Sequence, residues 1–152
     1  MPSAIERPMQ RFWDPKNEYP GGLLKEYAHW ALEVSYTQHT FGNFIIFCKR
    51  EGVEQLAQLK DEELLELRSV LQEIQSALEK NPLFKPDRFN YWQMGNFVHH
   101  LHIHGIPRYK SDREFLGKVW KDQDHTMLVC WTTEKQDRET IRVIRDEIKK
   151  YL

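Results

Sequence analysis

The feature that most constrains the fold of this 152-residue chain is an alternation of histidine with apolar residues. His100, His102 and His104 are separated by Leu101 and Ile103. Successive side chains of a β-strand point to opposite faces of the sheet, so a period of two is typical of a strand with one buried face. We therefore expect Leu101 and Ile103 to face the core and the three imidazoles to form one row on the opposite, open face.

Three strands and a long helix are predicted before the histidines. Residues 23–27 and 30–36 are rich in strand formers, and the apolar run NFIIFCK at 43–49 is typical of a central strand that is buried on both faces. Residues 61–79 carry leucine and isoleucine at helical spacing, with charges on the opposite side. Three acidic residues crowd the first turn, where the helix dipole favours negative charge.

Two further strands and a terminal helix complete the pattern. Residues 88–94 and 98–107 predict neighbouring strands that a Gly-Asn turn joins into a hairpin. The segment TMLVCW at 126–131 fits either a strand or an extended tail, and isoleucines at helical spacing predict a helix over 140–151. This order of elements indicates an α+β domain with an antiparallel sheet.

Composition argues against several classes of protein. The formal net charge of -1 gives no support for a general nucleic-acid-binding role. Cys48 and Cys130 form no CxxC pair, so neither a zinc knuckle nor a disulfide framework is indicated, and reduced thiols are the simpler interpretation. No apolar run reaches membrane-spanning length, and the N-terminus lacks the apolar core of a signal peptide. We expect a cytoplasmic protein without a membrane partner.

Three interpretations of the histidine row remain open. A metal site is disfavoured because an extended strand separates the backbones of His100 and His104 by about 13 Å, so that a third ligand from the same strand reaches a shared metal badly. The row is otherwise a polar strand face satisfied by solvent or backbone. The third interpretation is nucleophilic attack on phosphorus by a neutral imidazole. His102 is then the natural nucleophile, because it alone has a helper on each side.

The motif HHLHIHGIPRY at 99–109 resembles the signature of histidine triad proteins, in which three histidines alternate with apolar residues. The segments FGNFIIFCKRE, LKDEELLEL and FNYWQMGN are similar to the family's central strand, the start of its long helix and its penultimate strand. The continuation Pro107-Arg108 is similar to the sequence that follows the triad in the branch that includes dinucleoside polyphosphate hydrolases. The resemblance covers roughly residues 30–109 and implies a sheet of about five antiparallel strands, with helices against one face, in a homodimer.

The resemblance also implies a nucleotidyl hydrolase or transferase that works by double displacement on dinucleoside polyphosphates or related adenine nucleotides. His102 would attack the α-phosphorus and form a covalent nucleotidyl-histidine, which water then cleaves. His100 would support His102 in a hydrogen-bond network, and His104 would lie near the bridging oxygen of the leaving group. No cofactor is implied beyond a divalent cation that accompanies the nucleotide, and no metal site is expected.

Further substrate contacts follow from the resemblance alone. Asn96, which we count with the three histidines as a catalytic residue, stands where relatives carry a glutamine that contacts phosphate. Asn90 resembles an asparagine that lies near phosphate. Phe97 and Ser35 replace, respectively, a small hydroxyl residue that helps to hold phosphate and an aspartate that grips the ribose. We count both as substrate-binding positions with altered contacts. Arg108 follows the triad directly and is the best candidate for a cationic rim that attracts phosphate.

The chain is long enough for one domain with a sizeable core. We expect an N-terminal arm at 1–22, a catalytic core at 23–110 and an extension at 111–152 that ends in a helix. A non-catalytic nucleotide- or partner-binding module competes with the enzyme, and a metal-binding protein that uses the histidine row is a further alternative. His39 has no partner that the sequence identifies.

Overall fold

The computed structural model of the protein describes residues 22–152, and the predicted arm at 1–22 lies outside this range except for its last residue. The described range contains two helices, α1 at Asp61–Lys80 and α2 at Arg138–Lys149, and a 3₁₀ turn at Leu56–Gln58. Its strands are β1 Leu23–Glu26, β2 Trp30–Val34, β3 Phe44–Cys48, β4 Arg88–Trp92, β5 His102–Arg108, β6 Arg113–Phe115 and β7 Lys118–Trp120.

The first five strands form one antiparallel sheet in the order β1-β2-β3-β5-β4, which confirms the predicted α+β fold. β3 lies at the centre and all of its residues are buried, as its unbroken apolar run predicts. Both helices pack against β2, and α2 also packs against β1. The helices predicted over 61–79 and 140–151 are both present, with ends that differ by no more than two residues.

The two faces of the sheet are covered differently. On one face, called the helix face, strand residues such as Leu32 and Ile46 pack in one apolar core with residues of α1 and α2. The opposite face is identified from the strand pairing, because residues directly opposite in antiparallel strands share a face. One row on it, across four strands, consists of Glu33, Ile45, His104 and Trp92. We call this surface the histidine face.

A glycine follows the last histidine of the motif because an aromatic ring lies against it. Gly105 pairs with Phe44 of β3. A Cβ atom at Gly105 would stand 2.0 Å from Cε2 of Phe44, far inside van der Waals contact. The Phe44 ring therefore packs directly on the backbone of β5, which fixes β5 against β3 beside the histidines.

The connection between β4 and β5 is longer than the predicted Gly-Asn turn. The two strands pair as expected, but residues 93–101 lie between them. The Leu101 N–H donates to the carbonyl of Val53 at 2.9 Å, and the Leu101 carbonyl accepts from the N–H of Cys48 at 3.1 Å. Tertiary contacts to these distant residues, and not local turn chemistry, therefore set the start of β5 at His102.

The extension after β5 contains a hairpin that the sequence does not predict. β6 and β7 pair with each other and are anchored by Phe41, whose ring lies 5.3 Å from that of Phe115 and 5.0 Å from that of Trp120. Residues 126–131 form no strand, which leaves the predicted alternative of an extended segment. Within residues 22–152, neither helix is long and apolar enough to cross a membrane.

Candidate active site on the histidine face

His102 is held in the tautomer that nucleophilic attack requires. Its Nδ1 lies 2.7 Å from the backbone oxygen of His100. A carbonyl oxygen only accepts hydrogen bonds, so Nδ1 carries the proton and Nε2 keeps its lone pair when the ring is neutral. Within residues 22–152 no group is hydrogen-bonded to Nε2 of His102. Nε2 is therefore the ring atom that is available to an electrophile.

The three histidines do not form the single open row that the alternation predicts. His102 and His104 lie in β5 with ring centroids 5.2 Å apart, whereas His100 precedes the strand and its Nε2 donates to the carbonyl of Cys48 at 2.5 Å. His100 and His102 are only 5% and 7% exposed. The Phe47 ring, stacked on His102 with centroids 5.7 Å apart, covers part of this face.

Burial favours the neutral form of both strand histidines. It lowers the pKa of His102 below the ordinary value; the hydrogen bond to the His100 carbonyl opposes this shift, and the charge of the His100 ring adds to it. Burial also lowers the pKa of His104 to about 3, with smaller contributions from His102 and His39. Since the neutral imidazole is the nucleophilic form, the site suits nucleophilic chemistry at physiological pH.

Residues 121–137, which we call the strap, run along one side of the histidine face. Trp131 of the strap makes an edge-to-face contact with His104 at a centroid distance of 5.1 Å and a stacked contact with Trp92 at 5.4 Å. It nevertheless remains 40% exposed. The two indole rings form an aromatic surface beside His104. The sequence offers little to predict this surface, because Trp131 lies in a segment that lacks helical or strand periodicity.

A fourth histidine joins the site from the turn before β3. His39 stacks on Trp131 with centroids 3.8 Å apart, and its ring lies 6.2 Å from that of His104. Its Nδ1 accepts a hydrogen bond from the backbone N–H of Thr132 at 3.0 Å. The sequence gives no indication of this role, because Thr132 is 93 positions away along the chain.

Arg108 is hydrogen-bonded to protein groups and does not form the cationic rim that the sequence predicts. The residue is 1% exposed, and its Nε and Nη2 lie 2.7 and 3.0 Å from the carboxylate oxygens of Asp122. Its other N–H groups donate to the carbonyls of Asp124 and Met127 and to Oδ1 of Asn90. All five donors of the guanidinium are thus used within the protein. The assignment of Arg108 to substrate is corrected, since it anchors the strap to β5.

The other predicted substrate residues lie in different surroundings. Asn90 is on β4, where its amide oxygen accepts from Arg108. Asn96 and Phe97 lie in the connection before β5 and are exposed, Phe97 to 73%. Ser35 follows β2, is buried, and forms hydrogen bonds through its hydroxyl to the nearby threonine at position 37. The structure therefore brings the rings of His102 and His104 together and leaves Asn96 and Phe97 at an exposed edge.

The histidines of the described residues do not converge on a common point. The rings of His102 and His104 cross at 73°, and one nitrogen each of His100 and His102 is bonded to a carbonyl oxygen. Within residues 22–152, no group of three or more His, Cys, Asp or Glu lies in an arrangement that holds a metal ion. The imidazoles of this site are thus placed to act on a ligand individually.

Comparison with known proteins agrees with this geometry. Residues 40–111, which include the whole triad, match the family model of the HIT domain. No curated protein sequence matches the chain. Solved structures with the same fold include a Hit-like protein involved in cell-cycle regulation from Bartonella henselae, which is 20% identical. The match covers 90% of each chain with a TM-score of 0.67.

Two further solved structures extend the likeness. A hypothetical histidine triad nucleotide-binding protein from Sulfolobus tokodaii is 17% identical, over 93% of this chain and 89% of that one, with a TM-score of 0.69. The diadenosine triphosphate hydrolase of Plasmodium falciparum is 14% identical, over 87% and 76% of the two chains, with a TM-score of 0.63. At such identities the likeness shows a shared fold. Together with the HIT domain match over the triad, it shows that the chain contains a HIT domain with the fold of histidine triad proteins.

Proposed function

We propose that the protein is a nucleotide hydrolase or transferase that acts through a covalent intermediate on Nε2 of His102. The observation that carries the proposal is the hydrogen bond of 2.7 Å from Nδ1 of His102 to the carbonyl of His100. It places the ring proton on Nδ1 and the lone pair on Nε2. The lowered pKa of His102 keeps this lone pair available at neutral pH.

The reaction proceeds in two displacements at phosphorus. In the first, Nε2 of His102 forms a bond to the α-phosphorus, and the bond from phosphorus to the leaving group breaks with its electron pair on the leaving atom. In the second, water attacks phosphorus, the N–P bond breaks, and the electron pair returns to Nε2. One proton of the water goes to the solvent or the leaving group. His104, with its ring 5.2 Å from that of His102, lies on the side from which the leaving group is assisted.

A substrate with a base in its leaving group suits the aromatic surface beside His104. Trp92 and Trp131 stack at 5.4 Å with their planes 19° apart, and Trp131 retains 40% exposure. Stacking on such a surface is tolerant of base identity and contributes about 1–3 kcal/mol per base. We therefore propose dinucleoside polyphosphates, in which both ends carry a base, ahead of adenosine phosphoramidate.

Burial of the nucleophile favours a second candidate, a nucleotide-binding module without catalysis. His102 is 7% exposed, and phosphorus must approach to bonding distance of Nε2 for the enzyme to work. Turnover of diadenosine polyphosphates and adenosine phosphoramidate by purified wild-type protein separates the two candidates. Release of AMP supports the enzyme, and tight binding without any product supports the module.

Two histidine variants give this experiment a matched control. We expect His102→Ala to lose turnover on the order of 10⁴-fold, because no other group replaces the lone pair of Nε2. His99→Ala removes the neighbouring imidazole, whose side chain is 59% exposed and lies 3.7 Å from Glu54, and should leave turnover unchanged. Equal activity of His102→Ala and wild-type protein would contradict the enzyme.

We also propose a homodimer formed through α1 and the edge of the sheet. β4 is an outer strand that pairs, among the described strands, with β5 only, and Leu64 and Leu65 of α1 are 47% and 68% exposed. An exposed strand edge and apolar helix residues are surfaces that a second copy covers. Light scattering during gel filtration tests the proposal, since a monomer at micromolar concentration would contradict it. The cytoplasmic location and the division at residues 110 and 111 stay predictions.

A further inference from the structure

We propose that His39 is a positioning residue for His104, which it holds in the tautomer that carries the ring proton on Nε2. In this role it leaves the Nε2–H of His104 available to the leaving group. The inference deepens the proposed function and rests on it for the chemical step. The link between the two rings is measurable without turnover.

The tautomer of His39 follows from its contact with the strap. The backbone N–H of Thr132 approaches Nδ1 of His39 to 3.0 Å. A backbone N–H only donates, so Nδ1 must hold a lone pair and the neutral ring carries its proton on Nε2. Burial lowers the pKa of His39 to about 4, which keeps the ring neutral at physiological pH. Within the described residues, this Nε2–H is a buried donor without an acceptor.

His104 has a matching acceptor atom without a donor. Its Nδ1 is buried and has no hydrogen-bond partner among residues 22–152. The ring centroids of His39 and His104 are 6.2 Å apart with an angle of 61° between the planes. A buried polar atom without a hydrogen-bond partner destabilises the folded state. A water that bridges the two rings, or a shift that brings the rings about 1 Å closer, pairs the Nε2–H of His39 with Nδ1 of His104 and satisfies both atoms.

The position of His39 is fixed from two sides. Asn43, which is fully buried, accepts from the backbone N–H of His39 at 3.2 Å and donates to the carbonyl of Gly105 at 2.8 Å. It therefore ties the turn of His39 to the residue that follows His104. On the other side, the Trp131 ring stacks on His39 and meets the edge of His104. This support is what a residue needs in order to orient a neighbour.

The tautomer of His104 matters in the first displacement. As the bond from phosphorus breaks, negative charge develops on the leaving atom, and a hydrogen bond from Nε2–H of His104 stabilises that charge. The stabilisation is greatest for a basic leaving group and small for a phenolate that leaves readily. If Nδ1 of His104 carried the proton, Nε2 would present a lone pair to the developing charge. Loss of His39 should therefore slow poor leaving groups selectively.

Two substitutions separate positioning from mere packing. His39→Asn places its amide at the level of Nδ1, so it keeps an acceptor for the Thr132 N–H but has no atom at the level of Nε2. His39→Gln places its amide at the level of Nε2 and keeps a donor toward His104. We expect His39→Asn to lower kcat by about 10- to 100-fold on an alkyl nucleotide ester, less than the loss of a direct acid, with KM unchanged. The same variant should lose little on a nitrophenyl ester, and His39→Gln should stay close to wild type on both.

Imidazole ¹⁵N–¹H correlation spectra test the link without any turnover. In the wild-type protein we expect a protonated Nε2 and an unprotonated Nδ1 on His104, and in His39→Asn we expect this preference to be lost. Protonated Nδ1 on His104 of the wild type, or an unchanged His104 tautomer in folded His39→Asn, would overturn the role of His39. Equal losses on both esters would overturn it as well. Absence of hydrolysis by the wild-type protein would instead overturn the proposed function.

Discussion

The two faces of the central sheet show opposite ways of burying side chains. On the helix face, residues such as Val70, Ile74 and Ile144 are fully buried in one apolar core that needs no hydrogen bonds. On and beside the histidine face, Glu33, His39 and His104 each bury a polar atom that has no partner among the described residues. One face thus supplies stability, and the other buries polar groups at a cost in stability.

The same contrast explains what holds the strap in place. Its second half contacts the histidine face through the Trp131 ring, and its first half is held by the guanidinium of Arg108. A buried ion pair that is fully hydrogen-bonded fixes the positions of its partners but adds little net stability. Removing one partner is nevertheless destabilising, because the other charge stays buried and unpaired. The helix face should therefore respond to changes in volume, and the histidine face to changes in charge and protonation.

The largest effect on stability is expected from Asp122→Ala. Arg108 and Asp122 have side chains 1% and 2% exposed, so the substitution leaves a buried guanidinium without its carboxylate. Breaking such a pair costs about 3–5 kcal/mol, and the loss should appear in the free energy of unfolding measured with urea. Asp124→Ala is the control, because among residues 22–152 its carboxylate is hydrogen-bonded only to Thr126 of the strap. Equal losses in both variants would show that the strap is not held as described.

A cavity in the helix face should reduce stability without altering chemistry. Ile74 is fully buried in α1, and its replacement by alanine should lower the free energy of unfolding by about 3 kcal/mol. Turnover per folded molecule should not change, since Ile74 lies on the far side of the sheet from His102. A loss of kcat in folded Ile74→Ala, measured below its unfolding transition, would contradict the separation of the two faces.

Glu33→Gln is expected to stabilise the protein at neutral pH by about 1–3 kcal/mol. Burial raises the pKa of Glu33 well above its usual value, so the folded state holds a proton that the unfolded state has released. Stability is therefore lost as pH rises above the unfolded value of about 4.3. The gain in Tm should be larger at about pH 8 than at about pH 5. The exposed Glu114→Gln serves as control and should show no such dependence.

The smallest predicted effect is a shift of the acidic side of the pH–rate profile toward lower pH. Because burial lowers the pKa of His102, the neutral nucleophile persists below the ordinary histidine value of about 6.5. As pH falls, kcat should therefore reach half its maximum below about 6.5, with a substrate whose internal phosphates do not titrate in this range. A half-maximal rate at or above that value would mean that His102 is not buried during the reaction.

Local patterns predict the helix face well because its determinants lie close together in the chain. The spacing of Val70, Ile74 and Leu78 is itself the buried stripe of α1, and the run from Phe44 to Cys48 is itself the central strand. The alternation around His102 likewise predicts the strand and the apolar side of the motif. These features require no knowledge of distant residues.

Distant contacts explain what the sequence does not predict. His100 lies outside the strand because the Leu101 N–H donates to the carbonyl of Val53 and the His100 ring donates to the carbonyl of Cys48. Arg108 turns inward to pair with Asp122, which lies in a segment without periodicity. His39 and Trp131 meet only after the strap has docked. The contacts that depend on the fold of the extension are therefore invisible to periodicity and motif, although they complete the site.

The most direct test of the central claim is the mass of the protein during a single turnover. Wild-type protein mixed with less than one equivalent of diadenosine triphosphate and quenched in alkali, which preserves the N–P bond, should gain one adenylyl group. Fragmentation should place that group on His102, and the adduct should decay as AMP appears. Formation of AMP without any adduct at His102, or an adduct on another histidine, would contradict the account.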